Sequence, residues 1–279
     1  MPERNRFLEP EDYIDPPCPF CTEQYEKEPP ARRIPADRVL RKLDEHLGRN
    51  DSAAAERHLK YWLEEARLSG DLQGEFLVRN ELVGLYRKEG RREECLTEAD
   101  RVMDLTAVMG LEDETAGATA FINCATALKA FGRAAEALPL FARAEAVYER
   151  IPGTDPFRLG GLYNNCALAL ADTGRFPEAR AMYEKAVAVM ERVPGGEPET
   201  AVTWLNLADL EAAEKGPEDA EEAVWLCLDR AEALLDAPGT ARDGNYAFVC
   251  EKCASAFSYH GRFLYAEELR RRAAEIYAR

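Results

Sequence analysis

Histidine is nearly missing from this chain: among 279 residues there are three, His46, His58 and His260, and none belongs to a metal-binding or nucleophile motif. The zincin signature HExxH and a glycine loop ending in Lys-Ser or Lys-Thr are absent too, so metal-assisted hydrolysis and phosphate-loop chemistry lack their sequence signals. Asp and Glu are plentiful but read as solvated helix faces, and no carboxylate pair stands out. The expectation is a protein that is not an enzyme. No uninterrupted apolar run approaches the roughly 18 residues of a membrane span, and no cationic start leads into an apolar segment; the chain reads as cytoplasmic. A cationic excess is lacking as well. Lys plus Arg number 36 against 52 Asp plus Glu, a net charge of −16, which excludes nucleic acid as the main partner and disfavours an anionic membrane surface. Eight cysteines are too sparse for a disulfide scaffold and should be thiols or metal ligands.

What the chain does contain is organised by proline first and glycine afterwards. Residues 1–33 carry Pro2, Pro10, Pro16, Pro17, Pro19, Pro29 and Pro30, which forbid a long helix. They form an acidic tail with apolar anchors at Phe7, Tyr13, Ile14, Phe20 and Tyr25, more anchors than a purely disordered leader carries. Helical periodicity covers residues 34–279. Gly48, Gly90, Gly132, Gly174 and Gly216 follow one another at 42-residue steps, and Gly261 lies 45 further on. A fixed period of this size is the signature of a solenoid of supersecondary units, here helix pairs.

The copy from Leu162 to Gly195 is the most regular. Ala167, Ala179 and Ala186 supply small residues where two helices cross, and Tyr163, Cys166, Leu170 and Tyr183 fill the gaps between pairs. Phe121, Cys124, Ala125, Leu128, Ala137, Phe141 and Ala144 repeat these positions one by one in the preceding copy. The copy from Val78 places Leu82, Tyr86, Cys95, Ala99 and Val102 on the buried spacing. In the copy from Trp204 the second helix reads as longer by about a turn, with Trp225, Leu228 and Ala231 on its packing face. The last copy keeps Ala254, Phe257, Gly261, Ala266 and Ala273 and ends in a strongly charged helix, as suits a terminal cap. The first copy, from Ala36, departs most. Asp155 before Pro156 reads as an N-cap with proline in the first turn, and Pro177 and Pro217 read as opening second helices.

This pattern resembles the tetratricopeptide repeat (TPR), five copies well and a sixth loosely, and the 42-residue period with Asn-rich first helices is similar to the kinesin light chain type. The resemblance implies an all-α fold, an α-solenoid winding as a right-handed superhelix of about six helix-turn-helix repeats. It also implies a non-enzymatic scaffold that holds a peptide or protein segment in a groove lined by first helices. In the family, asparagines just before the small-residue crossing reach into that groove, where an amide can both donate to and accept from a peptide backbone. The matching residues are Asn123, Asn165 and Asn206, with Asn80 and Asn164 one position earlier. The same amides could instead join neighbouring helices of the stack. The cations that clamp chaperone C-termini in some TPR co-chaperones have no counterpart at Glu81, Ile122, Asn164 and Leu205, so a neutral or basic segment is the expected partner.

Two Cys-x-x-Cys pairs remain. Cys18 and Cys21 in the tail have the form of a zinc knuckle, and Cys250 and Cys253 lie on one face of the last first helix; together they could hold one structural zinc ion. Against this, Cys253 occupies the repeat position of Cys124 and Cys166, which reads as core packing. Separate roles, or an intermolecular metal site, are the other readings. Two further functions are kept open: a peptide-sensing regulator of the bacterial TPR type, and a zinc-closed scaffold whose groove is filled by its own tail.

Overall fold

The computed structural model describes residues 33–49, 51–216 and 218–278. Twelve helices and no strand occur among them: α1 (Ala36–Gly48), α2 (Ser52–Leu68), α3 (Leu72–Lys88), α4 (Arg92–Val108), α5 (Thr115–Ala130), α6 (Ala134–Arg150), α7 (Pro156–Asp172), α8 (Phe176–Met190), α9 (Glu197–Lys215), α10 (Glu221–Leu235), α11 (Gly244–Tyr259) and α12 (Phe263–Tyr277). The fold is an all-α solenoid of about six helix pairs. Two compact units meet between Val78 and Arg79, inside α3.

In the first unit α1 packs on α2 through Val39, Leu43, Ala55 and Leu59, all buried. His58 Nε2 lies 3.0 Å from the Val39 carbonyl oxygen, and the His46 and His58 rings are 5.8 Å apart, so both histidines lie where these two helices meet. Asp71, only 5% exposed, joins two segments: Oδ2 accepts from the Ile34 amide at 2.8 Å and Oδ1 from the Gly74 amide at 3.0 Å. The second bond caps the start of α3. Gly74 is required there, since a Cβ would stand 2.4 Å from Asp71 Oδ2. Asp71→Ala leaves both amides without their acceptor, and a loss of about 2 kcal/mol is expected by urea denaturation, with Asp71→Asn losing less.

In the second unit α5 packs with α6, α7 with α8, α9 with α10 and α11 with α12, and each of α5, α7 and α9 also packs on the second helix before it. Alanine at the contact positions permits this closeness: Ala125, Ala137, Ala144, Ala167, Ala179 and Ala186 are all 0% exposed. The large residues predicted to fill the gaps do so, with Phe121, Phe141, Tyr163 and Tyr183 at 5% or less. Gly174, at φ +74°, ends α7. Its amide bonds the Ala171 oxygen and the Arg175 amide bonds the Leu170 oxygen, each at 2.9 Å, a left-handed stop that only glycine adopts without strain. Asp155 caps α7 as expected, accepting from the Phe157 amide at 3.0 Å.

Several expectations need correction. Gly48 is the last residue of α1, which is closed by Arg49, and its φ is not positive; Asp51 instead starts α2 by accepting from the Ala54 amide at 2.9 Å. In the fifth pair the long helix is the first, α9, with 19 residues against 15 in α10. Trp225 is 40% exposed, although Leu228 and Ala231 are buried. The reason is a three-residue insertion. Tyr183, Ala186 and Met190 recur as Leu228, Ala231 and Leu235 at a spacing of 45, whereas Cys166 recurs as Ala208 at 42. The extra residues therefore enter around the turn between α9 and α10, and they shift Trp225 off the packing stripe. Pro217 lies outside the described residues. In the last pair, Arg270 stands exposed where the earlier pairs bury Phe141, Tyr183 and Leu228, which is how the terminal face of a stack stays solvated.

Candidate functional site

Four of the five asparagines meet one another. Asn123 Nδ2 on α5 donates to Asn80 Oδ1 on α3 at 3.2 Å, and Asn206 Nδ2 on α9 donates to Asn164 Oδ1 on α7 at 3.2 Å. Asn164 then donates to the Thr203 hydroxyl at 2.9 Å and to the Gly160 oxygen at 3.1 Å. Asn206 is thus level with Asn164, 42 residues away, and not with Asn165. Asn165 donates to the Gly161 oxygen of its own helix at 2.9 Å. These bonds tie first helix to first helix. They leave capacity, because a carboxamide has two donors and two lone pairs: among the described residues Oδ1 of Asn123 and Oδ1 of Asn206 accept no hydrogen bond, and both residues are half-buried.

The ladder ends at a groove. Where α11 lies along α9, a cavity of about 650 Å³ opens between them. Val202, Leu205, Asn206, Asp209 and Ala213 form the α9 wall, and Lys252, Ser255, Ala256 and Tyr259 form the α11 wall. The spacings Val202–Asn206–Asp209–Ala213 and Lys252–Ser255–Tyr259 each follow one helix stripe. Tyr259 is 80% exposed and available to a ligand. At the rim, His260 Nε2 lies 2.8 Å from Asp209 Oδ1, so the ring donates and fixes the carboxylate. The groove is mostly apolar, with one cation, one anion and one amide among its lining residues.

Beneath the α9 wall, Arg180 of α8 pairs with Glu211 and Glu214, and Lys215 Nζ lies 2.8 Å from Glu211 Oε2. Burial pushes the Glu211 carboxyl up, but hydrogen bonds from Lys215 and Arg180 outweigh it and hold the group below the usual carboxylate range. This cluster locks α9 to α8. No sequence motif announced it, because its members come from two repeats.

The cysteines present a different chemistry. Cys250 and Cys253 are 0% and 1% exposed. Burial raises both thiols, Cys253 to about 12, as it does Cys124, to about 12, and Cys166, to about 11. Cys18 and Cys21 lie outside the described residues, so the predicted four-thiolate site has only its α11 half on view. Among the described residues no group of three or more His, Cys, Asp or Glu side chains is placed to hold a metal ion.

Of the groove residues, the sequence singled out Asn206 for peptide binding and Cys253 only as a candidate metal ligand; the remaining ones were not assigned a role. The available signal was the stripe Phe248, Lys252, Ser255 and Tyr259, which runs beside the core stripe of α11 without belonging to it.

Stacked helix pairs joined through their first helices, with a cleft between two of those helices, define an α-helical repeat protein. Tetratricopeptide repeat models match residues 159–233 and residues 118–143, so these stretches carry TPR repeats. Among solved structures it is similar to a single-residue variant of a Podosopora anserina protein described as a kinesin light chain with nearly identical TPR-like repeats, at 21% identity over 72% of this chain and 93% of that one, TM-score 0.50. It is also similar to BtubC (BKLC) from P. vanneervenii, at 20% identity over 72% of this chain and 91% of that one, TM-score 0.50. These likenesses show the fold. No curated protein matches the chain in sequence. No helix among the described residues is long and apolar enough to cross a membrane.

Proposed function

We propose that this protein is a non-enzymatic protein-interaction scaffold that holds a segment of a partner protein against its first helices, with the α9–α11 groove as the main site. The observation that carries this is the open cleft of about 650 Å³ with an exposed aromatic at its edge. Val202, Leu205 and Ala256 would take an apolar anchor, and Tyr259 would cover it. Asn206, and along the same surface Asn123 and Asn165, would use their remaining amide capacity on the segment's backbone, while Asn80 and Asn164 serve as the ladder's acceptors. A net charge of −16 favours a neutral or basic segment over an acidic one.

For the cysteines we infer separate roles. Binding zinc requires Cys250 and Cys253 to ionise, and their burial opposes that; packing in the α11 core accounts for them as it does for Cys124 and Cys166.

The groove is tested by selecting peptides from a random display library on the whole protein and measuring Kd for the tightest. Asp209→Lys with Tyr259→Ala is expected to weaken binding about tenfold or more, and Asn206→Ala by a few-fold. Selected peptides that bind wild type and groove variants equally would remove the groove from the proposal.

A further inference from the structure

The second helices of the last two pairs carry a surface that the groove does not use. In the second, third and fourth pairs the turn glycine is followed by arginine, and that arginine pairs with a glutamate three residues on: Arg91–Glu94, Arg133–Glu136 and Arg175–Glu178. The fifth pair breaks this rule. Gly216 is followed by proline and then by Glu218, Asp219, Ala220, Glu221 and Glu222. All four of these carboxylates are exposed, and among the described residues none takes part in an ion pair. The three-residue insertion thus coincides with a run of negative charge that has lost its usual cation.

Large apolar side chains appear beside it. Leu226 of α10 is 57% exposed, Leu264 of α12 is 87% exposed and Phe263 is 65% exposed. At the matching positions the earlier pairs have Ala181 and Pro139 for Leu226, and Pro177 and Ala135 for Leu264, all exposed. The two helices are held side by side at this point. The Arg262 guanidinium, at the start of α12, lies 4.4 Å from the centre of the Trp225 ring and pairs with Asp229 and Glu232 of α10. Trp225 and Leu226 line one surface of α10 with Glu221, Glu222 and Asp229, and Arg262, two residues before Leu264, ties the start of α12 to it. Scattered apolar residues need no explanation, but several on two adjoining helices, next to unpaired charge of one sign, mark an interaction surface.

We propose that the α10–α12 face docks a basic amphipathic helix of a partner protein. The apolar stripe of such a helix covers Trp225, Leu226 and Leu264, and its Lys and Arg side chains answer Glu218, Asp219, Glu221 and Glu222. Side-chain bridges from Arg262 to Asp229 and Glu232 span α10 and α12 and leave Leu226 and Leu264 exposed to a third helix. A second copy of this chain is a poor occupant, because it brings the same carboxylates to the contact. This surface is separate from the first-helix groove.

The test uses the whole protein and an 18-residue fluorescein-labelled peptide with leucines on one helical stripe and lysines elsewhere, read by anisotropy. A peptide of the same composition in scrambled order is the control. Leu226→Glu with Leu264→Glu is expected to weaken binding about tenfold or more, because charge replaces two apolar contacts. Both side chains are exposed, so the melting curve should stay unchanged. Glu221→Lys with Glu222→Lys, a second and independent variant, should weaken binding and flatten its salt dependence. Groove variants Asp209→Lys and Tyr259→Ala should bind the peptide as wild type does. The proposal is overturned if wild type does not bind, if the scrambled peptide binds as well, or if both patch variants bind unchanged. Loss of binding only in the groove variants would place the peptide on the first helices instead, and a concentration-dependent dimer abolished by Leu264→Glu would make a second copy the occupant.

Discussion

Phe141→Ala is expected to lower the unfolding free energy by about 3–5 kcal/mol, the range for emptying a fully buried aromatic site. Phe141 is 1% exposed and belongs to the core formed where α6 meets its neighbours. Its equivalents, Tyr183 and Leu228, are 1% and 0% exposed, so one position carries a large side chain in three successive pairs. Alanine is the common small residue around it and cannot expand into the space, so the cavity should persist. At about 2–4 °C per kcal/mol for a chain of this size class, the melting temperature should fall by roughly 10 °C. Because a repeat is stabilised mainly by its nearest neighbours, amide exchange should accelerate most in α5 to α8 and least in α11 and α12. A melting shift of only a degree or two would mean that the site collapses, and uniform exchange along the chain would mean that the pairs unfold as one body.

Gly117→Ala is expected to cost about 3 kcal/mol, at the upper end of the overpacking range, while Gly161→Ala should stabilise the protein by about 0.5–1 kcal/mol. Both glycines lie inside helices, α5 and α7. A Cβ on Gly117 would stand 2.0 Å from the Leu111 carbonyl oxygen and 2.7 Å from its carbon, and that obstacle is backbone, which no side-chain rotation relieves. A Cβ on Gly161 would meet nothing within 4 Å. There only the usual gain remains, since alanine limits the freedom of the unfolded chain. Opposite signs in parallel urea titrations support this account. Equal losses at both sites would show that helix continuity, and not close approach, sets the effect.

The repeat is legible in the sequence because each pair solves the same local problem. A glycine that reaches positive φ ends a helix, alanine recurs where helices cross, and aromatic residues recur where pairs stack. Gly174, Ala179 and Tyr183 could be assigned from spacing alone. Trp225 could not, because the count from Gly216 hides an insertion that becomes visible only when Leu228 and Ala231 are found buried. Gly48 misled for a related reason: it keeps the period while the turn is made by the residues after it. The asparagines were found by type and position, but their bonds were not, since the 42-residue step from Asn164 to Asn206 puts them at one level without saying that the two amides meet.

The sequence by itself determined the all-helical class, the repeated pairs and most of the residues that fill them, Trp225 excepted, since these rest on contacts between residues near in the chain, repeated at a fixed step. It also removed the catalytic motifs from consideration. The tertiary structure alone decided where a cleft opens, which amides satisfy one another, and which apolar side chains stay in solvent beside unpaired carboxylates. Those features depend on how one pair is displaced against the next, and three inserted residues between α9 and α10 were enough to move Trp225 from the expected core to the surface.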